Sequence, residues 1–121
     1  MKILGIGVDI ISNKRIRTLV KNKTFINRIF GKNELKYSKK NFDNSNYFAK
    51  RFAAKEAFAK SLGSGFRENL NFKDIEIFND KIEKPYYFKS KKIDKIIFRK
   101  FKVKKYNLFL SISDEKDYSV A

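Results

Sequence analysis

Neither cysteine nor histidine occurs among the 121 residues, and each absence removes a class of chemistry. Without cysteine there is no disulfide, no thiolate nucleophile and no zinc-thiolate centre. Without histidine the commonest general base and the commonest transition-metal ligand are both missing. Any reaction must use carboxylates, hydroxyls, lysines or a hard cation with oxygen ligands, for which Mg²⁺ held by one or two carboxylates and substrate phosphates is the usual arrangement. Long hydrophobic runs are lacking too: nothing approaches the ~18 apolar residues of a membrane span, and MKILGIGVDI is too short and polar for a secretory apolar region. The expected location is the cytoplasm, with no membrane contact. No repeat, linker or low-complexity block divides the chain, so one domain is expected over residues 1–121.

Acidic residues are scarce, with 13 Asp and Glu against 29 Lys and Arg and a formal charge of +16. Such a field attracts anions, whether nucleic acid, an acidic protein or a phosphorylated metabolite. The basic residues are mostly lysines, whereas arginine is the residue suited to bidentate reading of bases and phosphates. Most phenylalanines fall at core-like spacings and not as exposed stacking platforms. No nucleic-acid partner is expected; a non-catalytic nucleic-acid binder is the alternative that charge alone supports.

What the chain does contain is core material: 42% hydrophobic residues, including 13 Phe and 6 Tyr, suffice for one globular domain. Residues Ile3 to Ile10 read as a buried first strand interrupted by Gly5 and Gly7, with Asp9 at its end. Helical spacing of Ile16, Leu19 and Val20 predicts a helix over 12–20, capped by Ser12 or Asn13, with Arg15 and Arg17 outward. Shorter helices are expected over 24–30 and 33–39, although the stretch 31–46 is polar enough for a mobile connection. The clearest helix spans 46–62, rich in Ala and Lys, free of Gly and Pro and stopped by Gly63. Strands are expected over 74–78 and 85–88 around a turn, then a helix over 93–101 and strands over 108–113 and 118–121. The pattern is α+β.

Within the long helix, Glu56 and Lys60 share a stripe with Ala49 and Ala53, so small side chains flank an acid and a base. This is either a solvated i, i+4 pair, worth ~0.2–0.5 kcal/mol of helix stability, or part of a site. Asp9 is either a turn aspartate or, if it converges with Glu56, half of a two-carboxylate Mg²⁺ site that neutralises a diphosphate. Gly63 and Gly65 around Ser64 read as a helix stop and turn, or as backbone donors for a phosphate. The segment is not a Walker P-loop.

Taken jointly, several segments are specific: GIGVDI at 5–10, Arg15-Ile16, RFAAKEAFAKSLGSG at 51–65, DIEIFND at 74–80, Lys84-Pro85 and SISDEKDYSVA at 111–121. In this order and spacing they resemble the short bacterial 4′-phosphopantetheinyl transferases, the holo-acyl-carrier-protein synthase family. The resemblance implies a single α+β domain of that type, a small antiparallel sheet packed on a long central helix, assembled as a homotrimer. It implies transfer of 4′-phosphopantetheine from coenzyme A to a serine of apo acyl carrier protein, releasing adenosine 3′,5′-bisphosphate, in support of fatty acid biosynthesis. It assigns Asp9 and Glu56 to Mg²⁺ and Lys60 to phosphate. Lys55, Arg51 and the Gly63-Ser64-Gly65 loop fall in or beside the coenzyme A site, and Arg15 faces the carrier. The proton acceptor for the serine would be Glu56, Asp9 or a metal-bound water. The chain departs from the pattern at Asp114, where many members carry His, and by stopping at Ala121, short of the usual final apolar residues. A degenerate member that binds carrier without turnover is the alternative this suggests.

Overall fold

A computed structural model describes residues 1–40, 46–67 and 69–121. In chain order its elements are β1 (Ile10–Ser12), α1 (Asn13–Leu19), α2 (Lys23–Ile29), α3 (Lys32–Lys40), α4 (Tyr47–Ser61), a 3₁₀ turn (Phe72–Asp74), β2 (Ile77–Asn79), β3 (Pro85–Tyr87), α5 (Lys91–Phe101), β4 (Ser113–Asp114) and β5 (Tyr118–Val120). Antiparallel pairing gives one sheet in the order β1-β5-β4 and a separate β2-β3 hairpin. The α+β expectation holds.

Helix α4 organises both cores. Its sequence YFAKRFAAKEAFAKS contains no Gly, Pro or β-branched residue to oppose the helix, and it ends where Gly63 takes up φ +79° and donates its N–H to the Lys60 carbonyl at 2.9 Å. One flank buries Ala54, Phe58 and Leu62 with Ile75, Ile77 and the α5 residues Ile93, Ile96 and Ile97. The other buries Ala49 and Ala53 against Ile11 and Ile16. Burial of each large aliphatic side chain contributes ~1.5–3 kcal/mol, so α4 is held from two sides. Helix α1 is capped by Ser12, whose side chain accepts from Arg15 N, and α5 by Ser90, which accepts from Ile93 N.

Two expected strands are shorter than the pattern suggests. The segment predicted as a buried strand over 3–10 joins the sheet only from Ile10, and Ile3, Ile6, Val8 and Ile10 are all exposed. The cause is the two glycines: a Cβ on Gly5 would stand 1.9 Å from the Ser61 carbonyl oxygen, and one on Gly7 1.8 Å from that of Ala57. This backbone lies directly on the α4 backbone, which leaves the apolar side chains facing away. Residues 108–112 keep the predicted alternation, with Leu108, Leu110 and Ile112 half-buried and Phe109 exposed, but the ladder begins only at Ser113. Of the polar stretch 31–46, residues 32–40 are helical; residues 41–45 lie outside those described.

The 79–84 turn is held by Asp80, whose Oδ1 accepts from the backbone N–H groups of Ile82 and Lys84, both at 2.9 Å. Here Glu83 adopts φ +65°, a left-handed conformation that costs a non-glycine residue ~1–2 kcal/mol. Its carboxylate accepts the Tyr37 hydroxyl at 2.5 Å, which ties the hairpin to α3.

Candidate active site

The close approach of residues 5–8 to α4 brings Asp9 to the solvent-facing side of that helix. Asp9 is fixed by its backbone: its N–H donates to the Ala121 carbonyl and its carbonyl accepts from Ala121 N–H, both at 3.0 Å. Lys60, in the last turn of α4, donates to Asp9 Oδ1 at 3.0 Å and to the Val8 carbonyl at 3.1 Å. The other carboxylate oxygen, Asp9 Oδ2, is buried and accepts no hydrogen bond. One turn before Lys60 stands half-buried Glu56. Desolvation raises its pKa most, and the Asp9 charge raises it further, while Lys60 and Arg15 pull it down. Asp9, Glu56 and Lys60 therefore converge as the sequence suggested, with Arg15 close enough in charge to be felt.

Two carboxylates in a partly desolvated site, one with a buried oxygen that accepts no hydrogen bond, leave oxygen ligands that a cation could use. Among the described residues no group of three or more His, Cys, Asp or Glu could hold a metal. Two carboxylates suit Mg²⁺ when a phosphorylated substrate and water supply the remaining oxygens.

Lys55 and Arg51, expected in or beside the coenzyme A site, are both buried. They sit on a different stripe of α4 from Glu56 and Lys60. The Lys55 ammonium is fully buried, donating to Glu34 Oε1 at 2.7 Å and to the carbonyls of Phe72 at 3.0 Å and Ile75 at 2.5 Å. Its three donors are spent inside the protein, and burial lowers its pKa against the opposing pull of Glu34. Arg51 lies over the Tyr47 ring at 3.9 Å, donates to Asn79 Oδ1 at 2.5 Å and has its Nε 4.0 Å from Glu34 Oε2.

Glu34 is the residue that sequence reasoning missed. Its carboxylate also accepts from Gly31 N–H at 3.0 Å and Ile77 N–H at 3.4 Å. The available signal was its position three residues after Gly31, the reach-back geometry of a capping glutamate.

Gly63 and Gly65 have positive φ and open space where a Cβ would stand, as a helix stop and turn require. Asp114 accepts from Asn46 Nδ2 at 2.8 Å and lies 3.9 Å from Lys50 Nζ, so it braces the start of α4.

The sequence and fold have counterparts. The family model for the 4′-phosphopantetheinyl transferase superfamily matches residues 5–121, and the chain belongs to that superfamily. Within it, the chain is 56% identical over 121 residues to holo-[acyl-carrier-protein] synthase of Pelagibacter ubique, a match covering 100% of this chain and 94% of that one. The crystal structure of holo-[acyl-carrier-protein] synthase from Neisseria meningitidis aligns with TM-score 0.86 at 40% identity, covering 98% of this chain and 94% of that one. The Helicobacter pylori enzyme in complex with coenzyme A aligns with TM-score 0.78 at 32% identity, covering 95% and 94%.

Proposed function

We propose that this protein transfers 4′-phosphopantetheine from coenzyme A to a serine hydroxyl of apo acyl carrier protein, releasing adenosine 3′,5′-bisphosphate. The observation that carries the reading is the convergence of Asp9, Glu56 and Lys60 in a chain 56% identical to a holo-[acyl-carrier-protein] synthase. Asp9 and Glu56 would hold Mg²⁺, which supplies positive charge to the diphosphate undergoing attack. Lys60 stabilises negative charge on the phosphate oxygens, the main demand of phosphoryl-type transfer. Its side chain is about half exposed, at 53%, so it has room to reach a ligand. The serine proton would pass to Glu56, Asp9 or a water on the bound metal. Arg15, exposed on α1 and felt electrostatically at Glu56, is suited to meet an acidic carrier beside the reacting centre. On this reading Lys55 and Arg51 act indirectly, fixing the rotation of α4.

The reading extends to a homotrimer working in the cytoplasm on the carrier of fatty acid biosynthesis. Support for assembly comes from the exposed apolar row Ile3, Ile6, Val8 and Ile10, with Phe109 at 84% exposure, beside a trough of about 1100 Å³ between residues 1–8 and 103–111. An apolar face of this kind is characteristic of an interface between copies. Sedimentation equilibrium should give three times the chain mass.

The deciding experiment incubates the protein with Mg²⁺, coenzyme A and apo carrier, then weighs the carrier. A gain of the phosphopantetheine mass is expected, lost on chelation and in Glu56→Gln. No gain on any of several carriers refutes the transfer.

A further inference from the structure

Lys60 occupies a telling position. Its ammonium is bonded to Asp9 Oδ1 and the Val8 carbonyl, on the same carboxylate that the transferase reading gives to the metal. It leaves Asp9 Oδ2 buried and without a hydrogen bond, so the ammonium balances the charge but satisfies only one of the two carboxylate oxygens. The pair is open to solvent on the lysine's side: its side chain is 53% exposed, against 13% for Asp9. A lysine has a long stem and three rotatable donors, so one side chain can address two anions a few ångströms apart.

We propose that Lys60 is the resident counter-cation of Asp9 and exchanges places with the incoming divalent metal, moving its ammonium onto the diphosphate. This rests on the transferase reading. A metal arriving alone must dislodge the ammonium and leave it stranded beside a dication, which weakens binding. When the diphosphate arrives too, the displaced ammonium gains a new anionic partner. Metal and coenzyme A are thereby coupled through the lysine as well as through any direct bridge. By linkage, each raises the affinity of the other by the same factor.

Mn²⁺ serves as the probe. Its binding to the free protein is followed by the electron paramagnetic resonance of unbound Mn²⁺, and coenzyme A binding is measured by calorimetry with and without Mn²⁺. Lys60→Met should tighten Mn²⁺ binding to the free protein by about threefold or more, since even a solvent-exposed ion pair is worth up to ~1 kcal/mol and this one is partly buried. It should also reduce the factor by which Mn²⁺ strengthens coenzyme A binding. Lys50→Met is the charge control: Lys50 pairs with Asp114 and lies ten residues earlier, ~15 Å along the helix axis. Its Mn²⁺ affinity should stay within about twofold of the parent. Lys60→Gln should repeat the Lys60→Met result, and circular dichroism checks that both variants are folded.

Unchanged or weaker Mn²⁺ binding in Lys60→Met overturns the exchange. An equal gain in Lys50→Met overturns it as well, because long-range charge would then be the cause. Equal metal–coenzyme A coupling with and without Lys60 overturns it while leaving the transferase reading intact. Failure to modify any apo carrier removes that reading and this inference together.

Discussion

A methyl group added at Gly7 should damage activity more than stability. The new Cβ would stand 1.8 Å from the Ala57 carbonyl oxygen, 2.9 Å from its carbon and 2.8 Å from Ser61 N, all backbone atoms of α4. To reach even 3.0 Å from that oxygen the segment must retreat by at least about 1.2 Å, since neither backbone can rotate out of the way as a side chain would. Overpacking of this kind costs ~1–3 kcal/mol, a fall of about 5–15 °C in Tm for a domain of this size. Asp9 follows two residues later and is pinned on its far side to Ala121, so part of the displacement must reach its carboxylate. A shift of ~1 Å at a catalytic group costs on the order of 100-fold in rate. The assay is carrier modification by mass spectrometry, run at a temperature where circular dichroism shows Gly7→Ala folded. Gly31→Ala is the control, because the nearest atoms to its Cβ would be those of the flexible Glu76 side chain, at 3.3 Å, and it should lose less than ~1 kcal/mol with little change in rate. If Gly7→Ala keeps its rate within twofold and its Tm unchanged, the close packing of this segment does not position Asp9.

Three further outcomes are expected. Glu34→Ala strands the buried Lys55 ammonium and should cost ~3–5 kcal/mol in urea unfolding; adding Lys55→Met should recover more than half, and no recovery would mean the pair is not the source of the loss. Tyr47 and Tyr87 are raised above the free-tyrosine value of 10.0 chiefly by burial, so the folded protein holds protons that the unfolded chain releases. Their contribution is full below pH 10.0 and is lost as pH rises above it, so the urea midpoint should fall on going to about pH 11, less steeply in Tyr87→Phe; identical slopes would refute this. Finally, Glu83→Gly relieves a positive φ but loses the Tyr37 bond. It should be near neutral in the parent and stabilising by ~1 kcal/mol in Tyr37→Phe, and equal effects in both backgrounds would show that the bond contributes nothing.

Period and capping revealed the helices because their causes are local. Ala-rich α4 with its glycine stop and α5 with Ile93, Ile96 and Ile97 are written in short windows. The glycines at 5 and 7 marked an interruption of the strand, yet the helix packed against them, α4, lies about fifty residues away and has no local signature. The consequence, apolar side chains turned outward, was therefore read with the wrong sign. The same limit explains Lys55 and Arg51. A motif orders residues along the chain, but which stripe of a helix faces inward depends on what packs there. The counter-charge that lets a lysine be buried is Glu34, in a short helix whose polar sequence gave no sign of an inward-facing carboxylate. Asp9, Glu56 and Lys60 lie together in the fold, but spacing alone left each of them with an ordinary structural reading as well.

The two hydrogen bonds between Asp9 and Ala121, followed by the Ile10–Val120 pairing, also bear on how the protein comes to be active. These residues are more than a hundred positions apart in sequence, and closing so long a loop is entropically slow compared with forming α4 or the β2-β3 hairpin. Helices and hairpin can form while Asp9 is still far from Glu56. In refolding, then, secondary structure should return ahead of catalysis, with competence arriving only in the slowest native phase, when the first strand docks against the last.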